Sequence, residues 1–213
     1  MIKQVVSDYL SPTKKSRRLS VLQAIHDEPE SSQHAIGKTT RLSSSMVNNY
    51  IKRLKAEGLI TVAGDTNRTQ SYHLTSDGQK NLRKALLHYT ADIVHLYGSV
   101  KREIAKILSG FYKEGIRTIV LFGAAETAEV VHLAIKETQL VMIGVVDSDN
   151  SKHNRPFNGL FVQPPEEIKR IKPDAVVITS FARQEEIYKD LKKIVSKKTK
   201  IKKLSDLKRN GRY

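Results

Sequence analysis

Cysteine is absent from the 213 residues, which removes disulfide scaffolds, thiolate zinc sites and cysteine nucleophiles together. No apolar run approaches the roughly 18–20 residues that a membrane-spanning helix needs. The opening stretch MIKQVVSDYLSPTKKSRR lacks the apolar stretch of a secretory signal. The HExxH, GxSxG and P-loop patterns are missing too. Asp147 and Asp149 stand two apart, a spacing that turn chemistry explains more often than acid–base work. His88 and His95 lie seven apart without a third histidine in register. No catalytic residue and no metal site is therefore expected. Ordinary proportions of hydrophobic (39%) and charged (28%) residues fit one large or two small globular domains. The expectation is a soluble, cytoplasmic, non-enzymatic protein with no membrane partner.

What is present is charge of one sign, unevenly placed. The net charge is +15. Residues 1–90 hold 14 Lys/Arg against 7 Asp/Glu, residues 117–188 hold 8 against 10, and residues 189–213 hold 11 against 2. A basic front, a slightly acidic body and a basic tail suggest separate tasks. Basic surface attracts polyanions by releasing their condensed counterions, so double-stranded DNA is the first partner to consider.

Residues 17–27 place Leu19, Leu22 and Ile25 at helical spacing, and Pro29 closes the segment. Ser31-Ser32 can cap a short second helix over SQHAIGKT. A third helix over SSMVNNYIKRLKAEG carries Val47, Ile51 and Leu54 at i, i+4 and i+7, with Gly58 as its stop. LITVA and SYHLT then alternate as two strands around the turn GDTNRTQ. Three helices and a hairpin make a winged helix-turn-helix, assigned to residues 1–76. The apolar stripe of the third helix leaves Ser44, Ser45, Asn48, Asn49, Lys52 and Arg53 mostly on the outward face. Asparagine pairs bidentately with adenine in the major groove, and serine meets base edges or phosphate. Arg68 at the hairpin tip is placed to reach a minor groove or the backbone. The run LSSSMVNNYIKRLKAEGLI followed by RTQSYHLTSDG resembles the recognition helix and wing of MarR-like winged-helix regulators, over roughly residues 17–80. The alternative is a winged helix that binds protein, with a merely solvated polar face.

From Ser76, read as an N-cap, to Gly115 there is no proline. Leu86, Tyr89, Ile93, Leu96 and Val100 recur at steps of 3 and 4, and Ile104, Ile107 and Phe111 resume after one extra step. Such a seam is expected of an apolar stripe between paired helices. Residues 77–115 are therefore assigned as a linker and dimerisation helix of a homodimer, with Gly98 a candidate break into two helices. Packing of the stripe against the chain's own winged domain is the alternative.

Residues 116–213 read as a Rossmann-like parallel sheet domain with a basic tail. RTIVLFG, LVMIGVVD and DAVVITS are short apolar strands separated by helical segments, and KIKKL is a candidate final strand. The turn Gly123-Ala124-Ala125-Glu126-Thr127-Ala128 occupies the place of a dinucleotide fingerprint, and Asp147 follows 24 residues after Gly123, where an acid would hold ribose hydroxyls. Ala125 stands where the fingerprint has its middle glycine, and Glu126 sets a negative charge beside the phosphate position. Ser180, Phe181 and Arg183 lie at a possible ligand mouth.

The domain order resembles the Rex-type redox-sensing repressors, which bind NAD(H). The phrases LFGAAETAEVV, GVVDSDN, FNGLFVQPPEEI and PDAVVITSF are similar to the nucleotide domain of PglD-type sugar acyltransferases, which implies a nucleotide-sugar. The candidate ligand residues are Gly123, Ala124, Ala125, Thr127, Asp147, Thr179 and Ser180. The whole chain reads as an α/β protein and a dimeric DNA-binding regulator whose C-terminal domain senses a small nucleotide-type effector. The competing classes are an enzyme or nucleotide-sugar-binding protein of polysaccharide metabolism carrying a DNA-binding module, and a nucleoid-type protein.

Overall fold

Thr13 starts the first helix by accepting the Ser16 N–H on its hydroxyl, and α1 runs over Lys14–Asp27 with Leu19, Val21, Leu22 and Ile25 buried. This computed structural model describes residues 10–64 and 70–205. Ser32 caps α2, Gln33–Thr40, and Ser43 caps α3, Ser44–Ala56. The tight link between them needs Arg41 in the left-handed region and Gly37, where a Cβ would fall 2.7 Å from the Leu42 carbonyl oxygen. Strands β1, Ile60–Ala63, and β2, Ser71–Leu74, pair antiparallel with Thr61 opposite His73. Tyr72 is wholly buried, accepting from Gln33 Nε2 at 3.1 Å and donating to Gln70 Oε1 at 3.1 Å, while His73 points outward. The wing tip, with Arg68, lies outside the described residues.

Helix α4 runs unbroken over Ser76–Lys113. Its cap is Thr75, one residue before the expected Ser76: the Thr75 hydroxyl accepts the Gly78 N–H at 3.0 Å. Gly98 does not divide it. A mid-helix glycine costs only about 1 kcal/mol relative to alanine, and α4 is anchored at both ends. Leu82 lies in the core of the winged domain, with Leu86 and Tyr89 packed against it. Ile104, Leu108 and Phe111 lie in the core of the C-terminal sheet, with Ile107 packed against it. Between them Ile93, Val94, Leu96, Tyr97 and Val100 are exposed. The two ends of the stripe thus pack within the chain, and only its middle is uncovered. Two compact units divide within this helix, between His95 and Leu96.

In the second unit, β3 (Thr118–Phe122), β4 (Val141–Val146), β6 (Leu160–Gln163), β7 (Ala175–Ile178) and β8 (Lys200–Lys203) are parallel. The sheet order is β5-β6-β4-β3-β7-β8, with β5 (Pro156–Phe157) antiparallel at the edge. Among the parallel strands this places the first in the middle and reverses direction beside it, the order of doubly wound sheets. Helix α5 (Glu126–Ile135) buries Ala128, Val131 and Ala134 in the core that also holds the end of α4. Helices α6 (Ile168–Ile171) and α7 (Gln184–Ile194) share the other core, with Phe122, Val146 and Ile178. The hairpin β5–β6 has no counterpart among the strands expected from periodicity, because its strands are short. It docks on α5 through Asn158 Nδ2, which donates to Glu129 Oε2 at 2.7 Å, and through an edge-to-face contact between His132 and Phe157. His132 is buried with no partner for Nδ1 among the described residues, and burial, with Lys136 nearby, lowers its pKa.

Candidate functional site

Helix α3 is held by one face and open on the other. Val47, Ile51 and Leu54 are buried, and Ser44, Ser45, Asn49, Lys52 and Arg53 are exposed, with Asn48 half-buried. Ser45, Asn49 and Lys52 fall at i, i+4 and i+7, so they share the side of the helix away from the core. At the helix start the hydroxyls of Ser43 and Ser45 are 3.0 Å apart, and Ser43 accepts the Met46 N–H at 3.3 Å. Lys52 and Arg53 form no ion pair among the described residues. A convex helix with amide and hydroxyl groups at its N-terminal half and cations following is the chemistry that groove reading and phosphate contact use.

The second candidate site lies at the carboxyl ends of β3, β4 and β7. Gly123 leaves β3 at φ +109°, and its N–H donates to Val146 O at 2.8 Å. The buried Thr179 hydroxyl sits beside the carbonyl oxygens of Phe122 and Gly123 at 2.9 and 3.0 Å. A Cβ at Gly123 would lie 2.6 Å from that hydroxyl oxygen. Gly123→Ala is therefore expected to cost about 1–3 kcal/mol, from the positive φ and the displaced threonine together. Denaturant unfolding checks this, and a neutral substitution would contradict the packing described.

Asp147, at the end of β4, is buried, and its carboxylate is turned into the protein. Oδ2 accepts the Ala124 N–H at 2.8 Å and pairs with Lys152 Nζ at 2.8 Å, while Oδ1 accepts the Asp149 N–H at 2.9 Å. The largest influence on its pKa is burial, which raises it. Hydrogen bonds from Lys152, Asp149 and Ala124 together outweigh that and hold the carboxyl below the usual aspartate range. Gly123, Ala124, Asp147 and Thr179 are thus brought together, but by bonds to one another. Ala125 is exposed, Thr127 and Ser180 are half-buried, and Ala125, the N-cap of α5, supplies no side-chain cap. Glu126 and Glu129 place two acids in its first turn, favourable to the helix dipole and unfavourable to a phosphate. With the Ala124 amide already engaged and two acids at the helix start, the turn does not fit the pyrophosphate of NAD or of a nucleotide-sugar.

A cleft of about 260 Å³ opens beside this turn, on the face covered by α6 and α7, and none of the seven expected ligand residues lines it. Its apolar surface comes from Phe122, Ile187 and Ile194, with Pro164-Pro165 on one side. Its polar groups include Asn150, His153, Arg183 and Asp190. Arg183 is held by a bidentate pair with Glu186, at 2.9 and 2.6 Å, which raises its pKa. Ligand pockets usually span about 300–1,000 Å³, so this cleft has room for a single small molecule. Sequence reasoning placed Arg183 at a mouth and missed the others. The available signals were the polar SDN after β4 and the PPEE after β6, each directly following a strand end.

Comparison with known proteins agrees with the division into two units. Residues 15–61 match the family described as winged helix-turn-helix DNA-binding, and residues 115–202 match the family described as C2185-like, N-terminal. The chain thus carries a winged helix-turn-helix domain at its front. No curated protein matches the chain. Among solved structures, it is similar to BpsR of Bordetella bronchiseptica, whose DNA binding is regulated by 6-hydroxynicotinic acid. That likeness has 28% identity and a TM-score of 0.33, covering 38% of this chain and 58% of that one. It is also similar to the transcriptional regulator BldR from Sulfolobus solfataricus, at 21% identity, TM-score 0.36, and 46% and 70% coverage. A third likeness is to UDP-D-quinovosamine 4-dehydrogenase from Vibrio fischeri, at 16% identity, TM-score 0.35, and 41% and 77% coverage. The chain spans less than two thirds of the length of the first two solved structures it matches, at 58% and 59%. Among the described residues no helix is long and apolar enough to cross a membrane.

Proposed function

We propose that this protein is a DNA-binding transcriptional regulator that acts as a homodimer and whose C-terminal unit takes a small nucleotide-type effector. The outer face of α3 carries this reading. Ser44, Ser45, Asn48, Asn49, Lys52 and Arg53 stand opposite a buried apolar triad, and an outward polar row on the third helix of a winged domain is what enters a major groove. The dimer is supported by the uncovered apolar middle of α4, where Ile93, Leu96 and Val100 keep the 3-and-4 spacing of a helix–helix seam. The effector is supported by the cleft beside Phe122 and Arg183. Its volume suits one nucleoside or a comparably small ring compound, with the flat ring against Phe122 and the polar edge toward Asn150 and Arg183.

Selection of bound duplexes from a random-sequence pool tests the reading. The expected product is a two-fold symmetric sequence with half-sites about 10 base pairs apart, or a multiple of that spacing. A pool with no enriched sequence overturns the regulator reading, and enrichment of a single unrepeated site overturns the dimer.

A further inference from the structure

The amino edge of the C-terminal sheet is where the parallel strands begin. Four connections converge there: residues 113–117 before β3, 136–140 before β4, 172–174 before β7 and 192–200 into β8. Backbone and side-chain hydrogen bonds stitch them into one surface. Val141 N–H donates to Arg117 O, Lys200 N–H donates to Asp174 O, and Asp174 Oδ2 accepts the N–H groups of Arg117 and Thr118. Neighbouring strands are about 4.8 Å apart, so the row spans roughly 15 Å. These segments hold nine Lys/Arg and three acids.

The acids are all engaged inside the protein. Asp174 is occupied by the backbone of β3, Glu137 pairs with Lys101 at 2.6 Å, and Glu114 pairs with Lys202. Lys113, Lys136, Lys172, Lys197 and Lys198 are exposed and form no ion pair among the described residues. Among the described residues the opposite, carboxyl edge has the reverse balance, with Glu126, Glu129, Asp149, Glu166 and Glu186 among its acids. Helix dipoles do not account for this. Four helices (α4, α5, α6 and α7) end on the amino edge, and each contributes at most roughly half a negative charge there. That is far less than the unneutralised cations.

We infer that the amino edge of the C-terminal sheet is a second nucleic-acid contact, separate from α3, that binds the phosphate backbone of a duplex without reading its sequence. A row of lysines on short loops and helix ends, with Gln139 the one exposed side-chain amide in these four segments, suits phosphates rather than base edges. No exposed aromatic lies among those lysines to stack on unpaired bases, so the partner is a duplex and not a single strand.

The test uses the full chain with Lys113, Lys136, Lys172, Lys197 and Lys198 each changed to Gln, and a milder variant, Lys197→Glu with Lys198→Glu. Binding to a random-sequence duplex of about 30 base pairs is measured across about 0.05–0.3 M salt, where each phosphate contact contributes about 0.9 unit of log–log slope. The five-fold variant is expected to flatten the slope by at least about two units and to weaken binding at about 0.1 M salt by tenfold or more. The double variant should move the same way by a smaller step, and both should keep the wild-type melting temperature. A slope changed by less than about half a unit in both folded variants overturns the inference. So does wild-type protein that binds phosphatidylserine vesicles but not the random duplex. The outcome is separable from the regulator reading. If the edge variants bind like wild type while Asn48→Ala with Asn49→Ala loses sequence preference, only this inference fails. If the edge variants lose binding and the asparagine variant changes nothing, the inference stands and the reading of α3 fails.

Discussion

Asp147→Ala should lower the unfolding free energy of the C-terminal unit by about 2–4 kcal/mol, because it strands three donors at once. The N–H groups of Ala124 and Asp149 and the ammonium of Lys152 all point at its carboxylate within 2.9 Å. A buried donor left without an acceptor costs about 1–3 kcal/mol, and breaking a buried ion pair from one side costs more. Lys152 keeps about a third of its side chain in solvent, so its share lies at the low end. The pH dependence gives the sign. The folded-state pKa is depressed, so the folded protein holds this proton more weakly than the unfolded chain does. The contribution is complete above the unfolded value near 3.9 and is lost as the pH falls through the folded value. The difference between wild type and Asp147→Ala should therefore be full at pH 7 and shrink below about pH 4. Equilibrium unfolding at several pH values checks both parts. A loss under about 0.5 kcal/mol would mean that the carboxylate does not anchor the turn. Loss of effector binding in this variant would not identify a ligand contact, since the turn itself is undermined. Asn150→Ala and Arg183→Gln are the cleaner probes of the cleft.

Changing Asn48 and Asn49 together to alanine should cut affinity for a selected operator by about 10- to 1,000-fold, the worth of one or two bidentate base contacts. Affinity for random duplex should change by less than about threefold, since phosphate contacts carry non-specific binding. The two residues are about 100° apart around the helix, and Asn49 is the more exposed, so the single variants should differ, with Asn49→Ala the costlier. Paired titrations of operator and random duplex decide it. Equal losses on both would mean that these amides do not read bases.

The outward face of α3 was legible in the sequence because three apolar residues, Val47, Ile51 and Leu54, define a helical side unambiguously and leave the polar residues no other place. Strands β3, β4 and β7 were legible as continuous apolar runs for the same kind of reason. The β5–β6 hairpin was not. A two-residue strand beside a four-residue one is too short for alternation to show, although Asn158-Gly159, both at positive φ, is a hairpin signal in its own right. Gly98 invited a break that α4 does not have, because a local propensity of about 1 kcal/mol is outweighed by cores at both ends of the helix. At the turn after β3 the residue types and their spacing were readable, but the orientation of Asp147 was not. Lys152 and the Ala124 amide turn the carboxylate inward, and neither is marked by pattern.

By itself the sequence determined which segments form helices and strands, the β5–β6 hairpin excepted, which face of α3 is polar, and that the charge is concentrated at the two ends of the chain. Only the tertiary structure decided that Asp147 is committed to the turn, that the cleft lies beside the glycine turn rather than on it, and that the lysines gather on one edge. The reason is topological. Parallel strands joined by crossover helices carry every connection of one kind to the same edge of the sheet, so Lys113 and Lys198, far apart along the chain, come to share one surface.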